Sequence, residues 1–91
     1  MPEVIFTVQL PDGETKRCYS PSSIVHRYFK SGEVMSSTEF LQRSREALSE
    51  ASERVRAKFG FYCSSAAAQL SEIEDFISNQ PPNGTVRILS I

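Results

Sequence analysis

The stretch from Ala51 to Leu70 limits the possible folds of this chain more than any other part of the sequence. It contains two segments with helical spacing, separated by Gly60 at the point where a helix stop needs a left-handed residue. Phe61 follows and can fold back onto Val55 as the hydrophobic partner of that stop. The sequence therefore predicts a helix hairpin that turns at Gly60. The first helix ends in cations that suit the negative end of its dipole, namely Arg54, Arg56 and Lys58.

The second helix of the hairpin is predicted from about Ser65 to Ser78. Ser64 or Ser65 can supply its cap, which would place Cys63 beside the positive end of the helix dipole. The three alanines at 66–68 lack bulk and predict the close approach of another backbone. Apolar residues recur at helical spacing and should be buried: Ala66, Leu70, Ile73 and Ile77.

The start of the first helix carries the clearest local signal in the chain. Ser36 and Glu39 have the spacing of a capping box, and Met35 and Phe40 have that of a hydrophobic staple. From this start the helix is predicted to run to about Phe59. Its apolar stripe consists of Leu41, Leu48, Ala51, Val55 and Phe59.

Charge spacing predicts which ion pairs hold this hairpin. Glu39 with Arg43, and Glu50 with Arg54, are favourable pairs four residues apart. Antiparallel packing is also expected to bring the acids of the second helix toward Arg43 and Arg45. Those acids are Glu72, Glu74 and Asp75.

Three segments have the pattern of strands. Alternating apolar residues predict a first strand from Val4 to Leu10, and a proline–aspartate–glycine turn at 11–13 leads into a second, from Glu14 to Tyr19. The charges of the second strand are typical of a sheet edge. The last strand is predicted from Thr85 to Ile91.

A short helix is predicted between the second strand and the hairpin, with Ser20 as its cap, Pro21 at its first position and Gly32 near its end. The resulting order is β-β-α-α-α-β. We expect an α+β fold of a single domain, residues 1–91, with a three-stranded sheet in the order 2-1-3. The short helix and the long helical hairpin should pack on one face of that sheet.

Composition excludes several functional classes. A net charge of −1 argues against a protein that coats nucleic acid or an anionic membrane. No apolar run approaches the length of a membrane span, and the N-terminus lacks the basic and apolar regions of a signal peptide. We therefore expect a cytoplasmic protein that binds neither nucleic acid nor membrane.

The sequence offers little for catalysis. His26 is the only histidine, and no group of residues has the spacing of a metal site or a catalytic triad, so we predict no catalytic, metal or cofactor-binding residue. The thiols of Cys18 and Cys63 are the reactive candidates, since Cys63 is expected beside a helix N-terminus. The competing interpretation makes both cysteines small buried hydrophobic residues.

An interaction surface is predicted on the sheet face that the helices leave uncovered. Ile5 points away from its apolar neighbours on the first strand, as do Leu89 and Ile91 on the last. With Tyr19 of the second strand they can form an apolar patch of the kind that marks protein contacts.

Three segments resemble a small bacterial family of nitrogen-starvation response proteins that are encoded in gene clusters beside a nitrilase. They are RCYSPSSIV (residues 17–25), ASERVRAKFGFYCSSAAAQLSEIE (51–74) and GTVRILSI (84–91). The resemblance implies a cytoplasmic bacterial protein that is produced together with a nitrilase and other enzymes. The resemblance assigns no catalytic residue to this chain.

These observations favour a non-enzymatic accessory protein of a nitrogen-starvation pathway, bound to a protein partner or to a second copy of itself. Two alternatives remain open. One is a thiol-dependent redox protein that uses Cys18 and Cys63, and the other is a small-ligand module with a pocket between sheet and hairpin.

Overall fold

The computed structural model describes residues 3–60, 64–81 and 83–91, and within them the elements follow the order β-β-3₁₀-β-α-α-β. Two strands come first, then a single turn of 3₁₀-helix, a third short strand, two long helices and a final strand. The elements are β1 (Val4–Gln9), β2 (Thr15–Ser20), the 3₁₀-helix (Ser23–Arg27), β3 (Val34–Ser36), α1 (Ser37–Phe59), α2 (Ser64–Ser78) and β4 (Thr85–Ser90).

The sheet has four strands in the order β2-β1-β4-β3, and all neighbouring strands are antiparallel. The α+β class and the place of the last strand beside the first are confirmed. The prediction of three strands is wrong, because Met35 and its neighbours form β3 along the other edge of β4. A strand of three residues is too short to show an alternating pattern.

The helices cover one face of the sheet. Phe6 and Val8 of β1, together with Ile88 of β4, point into a core that α1 and α2 close from above. The rings of Phe6 and Phe29 stack at 5.6 Å, and Phe40 of α1 lies 5.5 Å from Phe29. These three aromatic rings fill the space between the sheet and the helices.

The cap at Ser36 and the stop at Gly60 form as the sequence predicts, but the Glu39 carboxylate pairs with Arg43 and does not complete the predicted capping box. The hydroxyl oxygen of Ser36 accepts a hydrogen bond from the Glu39 backbone N–H at 3.1 Å, and Phe40 is fully buried. Gly60 ends the helix with φ +83°, and its N–H donates to the Arg56 carbonyl at 2.7 Å. The predicted stripe is wrong at Phe59, whose side chain is 53% exposed. The predicted contact of Phe61 lies outside the described residues.

The short helix begins later than predicted. Its N-cap is Ser22, whose hydroxyl oxygen accepts from the Ile24 N–H, whereas Ser20 ends β2. Ser20 is buried, and its hydroxyl group donates to the Ser22 carbonyl at 2.7 Å. The helix ends at Arg27, with Tyr28 as its C-cap, rather than near Gly32, which instead donates its N–H to the Ile88 carbonyl at 2.7 Å.

The packing of α2 differs from prediction at its alanine run. Ala66 is buried, but positions 67 and 68 are exposed, so no other backbone of the described residues packs closely on them. Ser64 is the first residue of the helix, and the cap position before it lies outside the described residues.

Arg43 forms the main ionic junction of the fold. Its guanidinium donates to the carboxylates of Glu33 at 2.9 Å and Glu39 at 3.0 Å, and to the Tyr28 carbonyl at 3.1 Å. The expectation that Arg43 turns toward the acids of α2 is therefore wrong. Only Arg45 does so, and it pairs with Glu74 at 3.0 Å. Arg43 instead ties the loop before β3 to the first turn of α1.

A second junction lies before β4, where Gly84 packs against Pro11 in the β1–β2 turn. The Gly84 carbonyl accepts hydrogen bonds from the backbone N–H and the hydroxyl group of Ser37, at 3.0 and 3.2 Å. A Cβ atom at Gly84 would lie 2.4 Å from Pro11 Cγ and 2.6 Å from Pro11 Cβ. Only glycine fits here, because any side chain would overlap the proline ring.

Replacing Gly84 with alanine should therefore destabilise the protein by about 1–3 kcal/mol, the usual cost of overpacking. Urea denaturation measures this change in the free energy of unfolding. Adding Pro11→Gly to the Gly84→Ala variant removes the overlapping ring and should recover part of the loss. Equal stability of wild type and Gly84→Ala would contradict the close contact.

The Glu33–Arg43 pair should make stability depend on pH. Hydrogen bonding to Arg43 lowers the pKa of Glu33 from its ordinary value of 4.5, so the pair stabilises the fold above that pH. The contribution disappears as pH falls through the lowered pKa. Glu33→Gln should cost about 0.5–1 kcal/mol at pH 7, and much less near pH 3. Urea denaturation at both pH values, with exposed Glu46→Gln as the control, checks this expectation.

Candidate protein-binding face

The strands leave one sheet face uncovered by any described helix, and we call it the outer face. On β1 it consists of Ile5, Thr7 and Gln9, since Phe6 and Val8 between them are buried. The cross-strand partners of these residues extend the face on both sides. They are Tyr19, Arg17 and Thr15 on β2, Ser90 and Arg87 on β4, and Val34 on β3 opposite Arg87.

Large apolar side chains are exposed at both ends of the outer face. Ile5 is 46% exposed, and Tyr19 lies directly opposite it on β2. Leu89 on β4 is 40% exposed, and Val34 at the far end is 51% exposed. Three of the four exposed large hydrophobic residues of the described chain therefore lie on strands, the fourth being Phe59 at the end of α1.

A β-bulge separates Ile91 from the other residues of the predicted patch. Thr7 pairs with Ser90 but Val8 pairs with Ile88, so Leu89 is an extra residue in β4. One extra residue reverses the faces of the residues that follow it. Ile91 accordingly packs against the core cluster, while Ile5, Tyr19 and Leu89 remain at one end of the sheet.

Two arginines occupy the middle of the outer face. Arg17 on β2 is opposite Thr7, and Arg87 on β4 is opposite Gln9, so they flank β1 on its two sides. Both are exposed, and neither side chain has an ion-pair or hydrogen-bond partner among the described residues. The outward positions of the four strands include no acidic residue.

A polar recess of about 400 Å³ adjoins Arg87 at the end of the face near the β1–β2 turn. Gln9 and Thr85 line it together with Arg87, and Val34, Leu10 and Pro11 form its apolar part. The recess offers hydrogen-bond donors from side chains beside a guanidinium, which suits a carboxylate or another small anionic group.

Gln69 of α2 closes the edge of the sheet at β2. Its side-chain oxygen accepts a hydrogen bond from the Tyr19 backbone N–H at 2.9 Å, and Gln69 itself is 8% exposed. The sequence interpretation missed this residue. A signal existed, because position 69 shares the buried face of the helix with Ala66 and Ile73.

The structure places Cys18 in the core, where it is 1% exposed. Burial, with a smaller contribution from the Glu72 charge, raises the pKa of this thiol to about 12. A thiol with such a pKa holds almost no thiolate at neutral pH and is a poor nucleophile. Cys63, its expected redox partner, lies outside the described residues.

The remaining polar residues form no cluster with evident chemistry. His26 is exposed on the 3₁₀-helix, and the described residues include no group of three metal-binding side chains. A shallow groove of about 260 Å³ runs between α1 and α2, with Leu48, Ala66 and Leu70 on its floor. Within the described ranges, neither long helix has the length and hydropathy that crossing a bilayer requires.

Comparison with known proteins identifies the family. The family model described as "Nitrogen starvation-induced protein NitG" matches residues 5–91, which extend from the first strand to the last. No curated protein and no solved structure matches the chain. The match over nearly the whole length confirms the resemblance to nitrogen-starvation response proteins. The chain belongs to the family of nitrogen starvation-induced protein NitG.

Proposed function

We propose that this protein is a non-enzymatic accessory of the nitrogen-starvation response, which acts in the cytoplasm by docking a partner protein on the outer face of its sheet. The exposure of Ile5, Val34 and Leu89 on that one face is the observation that supports the proposal. Exposed aliphatic residues that share a surface commonly mark protein contacts. The opposite face is already buried beneath α1 and α2.

A different protein fits this face better than a second copy does. Arg17 and Arg87 lie in the middle of the face, and its strand positions include no acidic residue. Two copies packed face to face would bring like charges together in a partly desolvated contact, which is unfavourable. The resemblance to proteins encoded beside a nitrilase makes the enzymes of such a gene cluster the first partners to test.

Two exposed aliphatic residues provide the test. Ile5→Lys with Leu89→Lys should abolish capture of the partner from nitrogen-starved cells, because two charges would have to be desolvated in the contact. The control is Ala57→Lys with Ala68→Lys, which adds the same charges to exposed positions on the helices. Mass spectrometry identifies the captured protein, and the purified nitrilase and its neighbours are then tested individually.

Capture that survives the Ile5 and Leu89 substitutions, or is lost equally in the helix control, would contradict docking on the outer face. Light scattering measures the molar mass of the purified protein and therefore shows whether a second copy binds to the outer face. If the purified protein is a dimer and the Ile5 and Leu89 substitutions disrupt it, the outer face binds a second copy of the chain and not a different protein.

The redox alternative has little support from Cys18, since the function would require a reactive thiol at that position. On a Cys63→Ser background, we expect Cys18 to resist alkylation by iodoacetamide in the native protein and to react fully in denaturant. Burial and the raised pKa both protect it. Labelling is counted by mass spectrometry, and complete reaction of the native protein at pH 7 would favour the redox alternative.

A further inference from the structure

We propose that the outer face recognises an acidic segment of its partner, held in extended conformation across Arg17 and Arg87. This inference rests on the proposed function and adds the chemistry of the partner. It follows from the positions of the two arginines on the strands, from the residues between them and from the recess beside Arg87.

The spacing of the arginines suits an extended chain. They lie two strand spacings apart, on either side of β1, and are offset by two residues along it. Strand geometry puts their Cα atoms about 12 Å apart. Carboxylates four residues apart on an extended chain are separated by about 13 Å, so one such segment can reach both guanidinium groups.

The surface between the arginines is polar and offers further hydrogen bonds. Thr7 and Gln9 lie there on β1, opposite Arg17 and Arg87. The apolar residues Ile5 and Leu89 lie beyond one arginine, and Val34 lies beside the other. The pattern fits a segment with acidic residues in its middle and aliphatic residues at its ends.

The charge of the rest of the molecule makes this face distinctive. The net charge is −1, and the sequences of α1 and α2 together hold more acidic than basic residues. Arg43 and Arg45 on the helices are paired with carboxylates, whereas Arg17 and Arg87 have no such partner among the described residues. A negatively charged segment is therefore attracted to the outer face, and α2, which has three acidic and no basic residues, repels it.

Two synthetic peptides and their binding by fluorescence anisotropy test the proposal. The first has glutamates alternating with threonines between two terminal leucines, and its twin has glutamine in place of every glutamate. The acidic peptide should bind, and the twin should bind about tenfold more weakly. Amide chemical shifts in NMR spectra should change at Thr7, Gln9 and Arg87, and not along α1.

The matched variants remove two positive charges from different surfaces. Arg17→Gln with Arg87→Gln should weaken binding of the acidic peptide about tenfold, to the level of its twin. Arg27→Gln with Arg54→Gln removes the same charge from exposed positions off the sheet and should leave binding unchanged. Circular dichroism of both variants confirms that they are folded.

Three results of the peptide measurements would overturn the proposal. They are no binding of the acidic peptide at about 1 mM, equal binding of the two peptides, and equal loss in both charge variants. Tighter binding of a single-stranded oligouridine through the same arginines would also overturn it, and would assign the face to RNA.

The proposed function can stand if this inference fails. Partner capture that is lost with the Ile5 and Leu89 substitutions, but retained in the Arg17 and Arg87 variant, would keep the docking face and reject only the acidic segment.

Discussion

The insertion of β4 between β1 and β3 is the constraint on which the rest of the structure depends. The side chains of Val86 and Ile88 on β4 pack in the core, where both are fully buried. The Ile88 carbonyl accepts the Gly32 N–H, and the Gly84 carbonyl accepts two hydrogen bonds from Ser37 at the start of α1. Without β4 the two edge strands would not belong to one sheet, and the helices would have no continuous face to cover.

Local chemistry made much of this fold predictable from the sequence, and tertiary pairing accounts for the rest. The cap at Ser36 and the stop at Gly60 depend on neighbouring residues only, so both were correctly placed. The strand containing Met35 was missed, because three residues show no period and their edge partner is distant in sequence. The role of Arg43 was also missed. Glu39 is local, but Glu33 reaches Arg43 only through the fold of the intervening loop.

The outer face was predictable in outline from strand alternation, which singled out Ile5 and Leu89. It placed Ile91 with them, since alternation assumes an unbroken strand and a single bulged residue reverses the side of everything beyond it. The positions of the two arginines relative to each other could not be predicted without the strand register. Only the pairing of Arg17 with Thr7, and of Arg87 with Gln9, shows that they flank the same strand. Isolated charges in two segments 70 residues apart give no such signal.

The hydrogen bond from Tyr19 to Gln69 bears on how the protein behaves when it is abundant. Sheets with open edges polymerise by adding strands from neighbouring molecules, and the hazard increases with concentration. At the β2 edge Gln69 already occupies the Tyr19 N–H, and at the opposite edge β3 offers only three residues. Less of either edge is therefore free to pair with a strand of a neighbouring molecule, which limits edge-to-edge aggregation.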